Sequence, residues 1–311
     1  MRGCRLKTGA KVQMNMLLTR RAALISGLAL LRSLSTAARG EGATQARGGP
    51  GDLQQRITEL EKHSGGRLGV AMLDTASHAR LHYRAEERFA MCSTFKFVAA
   101  AAVLQRVERG EEKLDRWIVY GPEDLLEYAP VMREHVQEHG MRLSDVCAAA
   151  VQWSDNTAAN LMLRVIGGPA GFTQYCRSLG DRITRLDRIE PELNRVAAGD
   201  GRDTTTPAAM LSLLHSLLLG KALADSSRQQ LESWMVNATV GKDSIPAGLP
   251  PEWRIGHKTG SGRDESNDVL IAWPPGRAPV LITAFYSRPS GSPQERDGVL
   301  REVGRIVSAA L

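Results

Sequence analysis

The chain has 311 residues, with 40 Lys/Arg against 34 Asp/Glu and a formal net charge of +6. That length suffices for a large domain of two lobes around a substantial core. The positive balance is a terminal property: eight of the 40 basic residues and none of the 34 acidic ones lie in positions 1–40, leaving 32 against 34, a net of −2, for the rest. With no basic, aromatic-rich face and no recognised module, nucleic-acid binding is excluded.

Residues 1–40 join that basic charge to the apolar run Ala22–Leu31 and to the small residues Ser35-Thr36-Ala37-Ala38. A basic head, a short apolar segment and a small-residue cleavage zone make an export signal. The apolar run, ended by Arg32, is too short to span a bilayer. Thr19-Arg20-Arg21 gives the signal a twin-arginine character, although Ala23 stands where that motif usually has Phe; Met14 or Met16 are alternative starts. The expectation is a periplasmic protein, exported with the signal removed and without stable membrane association. Residues 41–51, rich in Gly, Ala, Arg and Pro, read as a flexible leader.

Asp52 is placed to cap a helix over Leu53–His63, closed by Gly65-Gly66. Strand-like runs follow at Arg67–Asp74 and Arg80–Ala85, joined by a turn at Thr75–His78. Next comes Met91-Cys92-Ser93-Thr94-Phe95-Lys96, opening a helix in which Phe97, Val98, Ala101, Leu104 and Val107 recur at helical spacing, with Gly110 at its C-terminal end. A helix begun at Ser93 stacks Ser93 and Lys96 on one face of its first turn. There a hydroxyl sits near the positive end of the helix dipole, beside an amine able to take its proton. The same Ser-x-x-Lys pattern also occurs where Ser merely caps a helix.

From Leu114 to about Leu231 the pattern is mostly helical, with apolar periodicity over Asp145–Val151 and Asn156–Ile166. The polar stretch Arg182–Thr205 is too irregular for a helix and long for a plain connection, which marks a functional loop. Three strand-like runs, Trp253–Gly256, Val269–Trp273 and Val280–Tyr286, precede a last helix over Pro293–Leu311. Segregated strands and helices predict an α+β fold. One five-stranded antiparallel sheet carries the terminal helices, with an all-helical lobe inserted into it. The expected catalytic domain covers 52–311, its α/β lobe formed by about 52–90 and 245–311 and its helical lobe by about 91–244. Cys4 leaves with the signal; Cys92, Cys147 and Cys176 form no C-x-x-C pair, which argues against a thiol redox motif or zinc knuckle, and they read as buried free thiols or as one disulfide whose pairing the sequence does not choose.

Ser154-Asp155-Asn156, Glu190-Pro191-Glu192-Leu193-Asn194 and Lys258-Thr259-Gly260 follow Ser93 in order. Each alone is ordinary turn or cap chemistry. Together with Ser93-x-x-Lys96 they resemble the class A serine β-lactamases, a motif set known for these enzymes. The resemblance runs from about Leu53 to the C-terminus and includes the loop opened by Arg185-Leu186-Asp187-Arg188 and closed by Arg202-Asp203-Thr204-Thr205-Thr206-Pro207, in which Arg188 and Asp203 match the ion pair at the loop's neck.

The resemblance implies hydrolysis of penicillins and cephalosporins through an acyl-enzyme on Ser93, giving antibiotic resistance. Lys96, Glu190 acting through a water, or both activate the hydroxyl, and Glu190 with Asn194 directs the deacylating water. Ser154, held near Lys258, protonates the leaving nitrogen. The backbone N–H groups of Ser93 and Ser261 form the oxyanion hole. Asn156 meets the antibiotic's side-chain amide, Lys258, Thr259 and Ser261 receive its carboxylate, and Tyr128 stands at the cleft rim. Neither metal nor cofactor is implied, and the partners are small-molecule β-lactams bound by a monomer.

Departures from the family pattern are specific. The strand after Lys-Thr-Gly reads Asp264-Glu265-Ser266-Asn267-Asp268 and lacks the Arg many members place there; Arg296 is the nearest substitute for binding the carboxylate. His257 precedes Lys258 where Asp is usual. Gly262 and Ala100 stand where relatives pair cysteines with Cys92 and Cys147, so no disulfide is expected.

Two rival readings remain. A D-Ala-D-Ala peptidase or a β-lactam sensor domain shares the nucleophile but generally lacks the Glu190–Asn194 loop, and stays acylated. His135-Val136-Gln137-Glu138-His139 matches a zinc-peptidase string, which requires both His one turn apart on a helix.

Overall fold

The computed structural model describes residues 50–311; the expected export signal and all but the end of the leader lie outside the described residues. Helix α1 spans Pro50–Ser64, so Asp52 sits in its first turn rather than capping it. Strands β1 (Arg67–Asp74), β2 (Arg80–Tyr83) and the short β3 (Phe89–Ala90) follow. A 3₁₀ turn at Cys92–Thr94 leads into α2 (Phe95–Glu108). The helix therefore starts after Ser93, although Ser93 and Lys96 still lie one turn apart. Arg109 ends α2, and Gly110 takes the left-handed conformation that its position requires.

A ribbon of β4 (Trp117–Ile118) and β5 (Met141–Arg142) precedes α3 (Leu143–Gln152), α4 (Asn156–Val165) and α5 (Gly168–Ser178). Beyond the long loop, β6 (Thr204–Thr205) pairs with β3, and α6 (Pro207–Leu218) and α7 (Asp225–Val236) complete the helices before the sheet resumes. The sheet ends with β7 (Arg254–Ser261), β8 (Glu265–Trp273) and β9 (Val280–Ser287), and α8 (Pro293–Ser308) closes the chain.

The five strands of the main sheet run antiparallel in the order β2-β1-β9-β8-β7, as the α+β expectation requires. Both faces are covered. On one, Val70, Met72, Leu270, Ile282 and Ala284 pack with Leu53 and Ile57 of α1 and Val299, Val303 and Val307 of α8. On the other, Ala71, Leu73, Val269, Ile271, Leu281 and Phe285 join the core of the helical lobe. Burial on both faces explains why these strands read as continuous apolar runs rather than as alternation.

Two strands are longer than their apolar halves. β7 runs on through His257-Lys258-Thr259-Gly260-Ser261, and β8 begins at Glu265, with Lys258 opposite Val269 and Thr259 opposite Asp268. Lys-Thr-Gly is thus part of the edge strand and not its exit. Helix α2 lies at the centre of the helical lobe, where every residue from Phe95 to Leu104 is buried. The His135 string forms no helix: Val136–Glu138 is a 3₁₀ turn, His139 is left-handed, and His135 Nδ1 lies 2.7 Å from Glu138 Oε1. The one-turn spacing that a zinc pair needs is missing.

Candidate active site

Ser93 sits in the 3₁₀ turn with Cys92 at φ 46° before it, a left-handed residue that aims the following serine out of the core. Strand β7 presses against this turn. A Cβ on Gly260 would lie 2.6 Å from Met91 O and 3.0 Å from Ser93 N, so only glycine lets the strand approach so closely. From the sheet, Asn267 Nδ2 donates to Ala90 O at 2.9 Å and Met91 O at 3.2 Å, tying β8 to the backbone just before the Ser93 turn.

Ser154-Asp155-Asn156 divides its work among three residues. Asp155 is buried and caps α4 through Ala158 N, while its other oxygen accepts from Val131 N and Met132 N. That fixes the segment bearing Tyr128, whose carbonyl accepts Asn156 N at 3.0 Å. Ser154, at φ 59°, turns its hydroxyl toward Lys258, and Nζ donates to it at 2.9 Å.

Lys96 lies at the centre of the site, fully buried. Its Nζ donates to Ser154 O at 2.7 Å, to Asn156 Oδ1 at 2.7 Å and to Glu190 Oε1 at 3.0 Å. The three donors of the ammonium are thereby committed, and the Ser93 hydroxyl donates to Glu190 Oε1 at 3.3 Å instead. One carboxylate oxygen touches both the Ser93 hydroxyl and the Lys96 ammonium. Burial pushes the Lys96 amine below the usual lysine range, against the opposing pull of Glu190. Lys258 is pushed well below it, by burial first and by the charge of Lys96 second, while Asp268 and Glu190 act in the opposite sense.

Glu190 is held by the long loop. Arg188 pairs with buried Asp203, whose Oδ1 also accepts the N–H groups of Asp187 and Arg188 at 2.7 and 3.0 Å. Asn194 Nδ2 donates to Glu190 Oε2 at 2.6 Å, and Asn194 Oδ1 is buried without a partner. The backbone of Glu190 is gripped by Asn160, which accepts its N–H at 3.0 Å and donates to its carbonyl at 2.9 Å.

A cleft of about 410 Å³ opens over these groups, lined by Ser93, Tyr128, Ser154, Asn156, Asn194, Thr259 and Ser261 among others. Lys96, Glu190 and Lys258 are buried behind this lining, each hydrogen-bonded to lining side chains: Lys96 to Asn156, Glu190 to Ser93 and Asn194, Lys258 to Ser154. Tyr128 is 48% exposed at the rim, its hydroxyl 3.2 Å from Trp153 O. Arg296 does not join them. It is 2% exposed, with its guanidinium turned to the carbonyls of Gly291 and Gly262, so this helix arginine packs under the β7–β8 hairpin and its placement does not support a role at the substrate's carboxylate. The neighbouring Asp297 lines the cleft instead.

Asn160, Asn267 and Asp297 belong to the site although no motif marks them. Asn160 had a signal, standing one helical turn after Asn156 on the same face. Asn267 and Asp297 had none, because only the register of β8 and the approach of α8 bring them in.

Residues 52–311 match the β-lactamase enzyme family. The chain is 46% identical over 258 residues to β-lactamase CTX-M-8 of Citrobacter amalonaticus, covering 83% of this chain and 88% of that protein. It is 44% identical over 260 residues to β-lactamase OXY-2 of Klebsiella oxytoca, covering 83% and 89%. Among solved structures, an ancestral class A β-lactamase superposes with a TM-score of 0.82 at 55% identity, covering 83% of this chain and all of that one.

Proposed function

The chain belongs to the class A serine β-lactamases, enzymes that open the β-lactam amide of penicillins and cephalosporins and so confer resistance, and we propose that Ser93, Lys96, Ser154 and Glu190 carry that reaction. The observation that supports this most is the single oxygen, Glu190 Oε1, within reach of both Ser93 Oγ and Lys96 Nζ.

Glu190 takes the Ser93 proton as Oγ attacks the lactam carbonyl, with Lys96 stabilising the carboxylate and relaying charge toward Ser154. The backbone N–H groups of Ser93 and Ser261 receive the oxyanion, in a cleft whose buried surroundings strengthen such bonds. Ser154 passes its proton to the leaving nitrogen and recovers the one that Glu190 hands back by way of Lys96, which leaves Glu190 a carboxylate again, while Lys258 beside Ser154 keeps the hydroxyl oriented. The ester on Ser93 is then hydrolysed by a water that Glu190 deprotonates. Asn194 holds that water, since its Oδ1 is an unpartnered acceptor beside the Glu190 carboxylate. Asn156 orients the amide of the acyl side chain, Lys258, Thr259 and Ser261 receive the carboxylate, and Tyr128 closes the rim.

Residues 52–311 act as one catalytic domain of two lobes, working as a monomer in the periplasm after the signal is removed. Among the described residues no helix is long and apolar enough to cross a membrane.

The test is mass spectrometry of the mature protein mixed with a penicillin, alongside the Glu190→Ala variant, with turnover followed in parallel. Turnover by the parent and a trapped adduct on Ser93 in the variant is the expected result. A parent that itself stays acylated would identify a peptidase or sensor instead.

A further inference from the structure

Away from the cleft, the far end of α2 and the flank of α5 border a second cavity, of about 280 Å³, lined by Gln105, Arg106, Arg109, Gln174, Tyr175 and Ser178 among others. The Ser93 turn leads into the N-terminal end of α2, so this cavity lies at the opposite end of the same helix. Helical spacing assembles the lining. Gln105 and Arg106 stand four and three residues before Arg109, and Gln174 and Tyr175 stand likewise before Ser178, so each set shares one helix face.

Two donors on these faces are unmet. Tyr175 is 7% exposed, and among the described residues its Oη and the Nε of Arg106 are buried without a hydrogen-bond partner. Ser178 Oγ donates to the Tyr175 carbonyl at 2.7 Å and not to the phenol. Burial pushes the Tyr175 hydroxyl above the usual tyrosine range, so it keeps its hydrogen to donate. Arg106 meets Glu111 through Nη1 at 3.3 Å, a half-exposed pair that leaves Nε uncommitted. The other nearby acid, Glu108, is engaged elsewhere, accepting the Ala224 N–H at 2.8 Å. The lining therefore sets two cations, Arg106 and Arg109, against the single carboxylate of Glu111. Buried donors without acceptors are costly. An oxyanion offers only acceptors, and its charge balances the second arginine.

We infer that this cavity is a binding site for a small oxyanion, a phosphate or a carboxylate, which Arg106 Nε and the Tyr175 hydroxyl hold beside Arg109, fastening α5 to the end of α2. The site shares no lining residue with the catalytic cleft. Its effect is on stability. Near the end of α5, Arg177 donates to the carbonyls of Asp181 and Thr184 at 2.6 and 2.7 Å, where the long loop begins. An ion that fixes α5 to α2 steadies the base from which that loop departs.

The experiment follows thermal unfolding of the parent, Tyr175→Phe and Arg106→Met in sodium chloride, sodium phosphate and sodium acetate, at one pH and one ionic strength. Phosphate or acetate raises the Tm of the parent above its value in chloride, by about 5 °C when the ion is at about fifty times its Kd. Tyr175→Phe and Arg106→Met lose most of that rise, and the salt that acts distinguishes a phosphate from a carboxylate. General exclusion of salt from the surface would stabilise all three proteins alike. An ion held in the catalytic cleft would do the same, because neither substitution touches the cleft. Equal rises in all three proteins therefore overturn the inference, as does a parent indifferent to both oxyanions. If Arg106→Met does not fold, Tyr175→Phe, which removes a single oxygen, decides alone.

Discussion

Asn160 holds the peptide unit of Glu190 from both ends, accepting its N–H at 3.0 Å and donating to its carbonyl at 2.9 Å. One side chain on α4 thus docks the long loop onto the helix that also carries Asn156. Replacing it with alanine leaves two backbone groups unmet, at about 1–3 kcal/mol of stability each, and frees the base to wander. Asn160→Ala is expected to lower kcat by about one to two orders of magnitude through deacylation. Accumulation of the Ser93 adduct during turnover checks this, since a defect in acylation would leave the serine free.

Gly260 marks the closest approach of the sheet to the nucleophile turn. A methyl there meets the Met91 carbonyl and the Ser93 N–H, both backbone, which must move apart. The expected outcome of Gly260→Ala is a fall in the acylation rate of about 10²-fold, the cost of misplacing one oxyanion donor. Single-turnover kinetics with near-parental thermal stability would establish it; unchanged acylation would refute it.

The neck of the long loop rests on Arg188 and the fully buried Asp203. Removing the cation alone strands a buried charge, so Arg188→Ala should cost about 3 kcal/mol. Denaturant unfolding measures that loss, and kcat should fall with it because Glu190 hangs from this loop. A variant as stable as the parent would show the ion pair to be ornamental.

Two buried lysines are expected to set an alkaline limit on activity. Burial holds both below the ordinary lysine value of 10.5, Lys258 further than Lys96. Loss of the Lys258 proton removes the cation from the substrate side, so KM for carboxylate-bearing substrates rises as pH climbs through that lowered pKa. Below it the limb is flat. Stability runs in the opposite direction: between the folded and unfolded pKa values the unfolded chain binds more protons, so these groups make stability increase with pH. A pH profile of kcat/KM places the limb, and Lys258→Arg should move it upward, because arginine keeps its charge.

Cys92 offers an engineering check on the β7–β8 hairpin. A Cβ on Gly262 would lie 3.2 Å from Cys92 Sγ, and the nearer obstacle is the flexible end of the Glu265 side chain. On oxidation, the Gly262→Cys variant should therefore form a disulfide between Cys92 and the introduced thiol. Thiol titration of the denatured mature variant would then find Cys147 and Cys176 alone.

The fold was legible wherever burial is apolar. The runs Arg67–Asp74, Val269–Trp273 and Val280–Tyr286 announce strands because both of their faces meet hydrophobic cores. The polar halves of β7 and β8 were not, since Lys258, Asn267 and Asp268 are buried for their charge and hydrogen bonds and carry no strand pattern. The four motifs converge on one cleft, but motifs carry no information about direction. Arg296, one residue from the cleft-lining Asp297, points under the hairpin because the helical turn, not the sequence, decides which of the two faces inward. The sequence left the base for Ser93 open between Lys96 and Glu190; in this arrangement the three donors of Lys96 are committed and the Ser93 hydroxyl meets Glu190.

The position of β7 has a consequence apart from catalysis. It is the last strand of the sheet, and a long edge strand is an invitation for another chain to add itself. Here the strand carries charged and titratable groups turned inward, Lys258 on one face and His257 on the other. A foreign strand docking there would disturb these polar contacts for little apolar contact in return. The opposite edge, β2, is only four residues long. The cleft's chemistry and the guarding of this edge therefore fall to the same residues, and substituting Lys258 or His257 with apolar side chains should make the edge more open to strand addition.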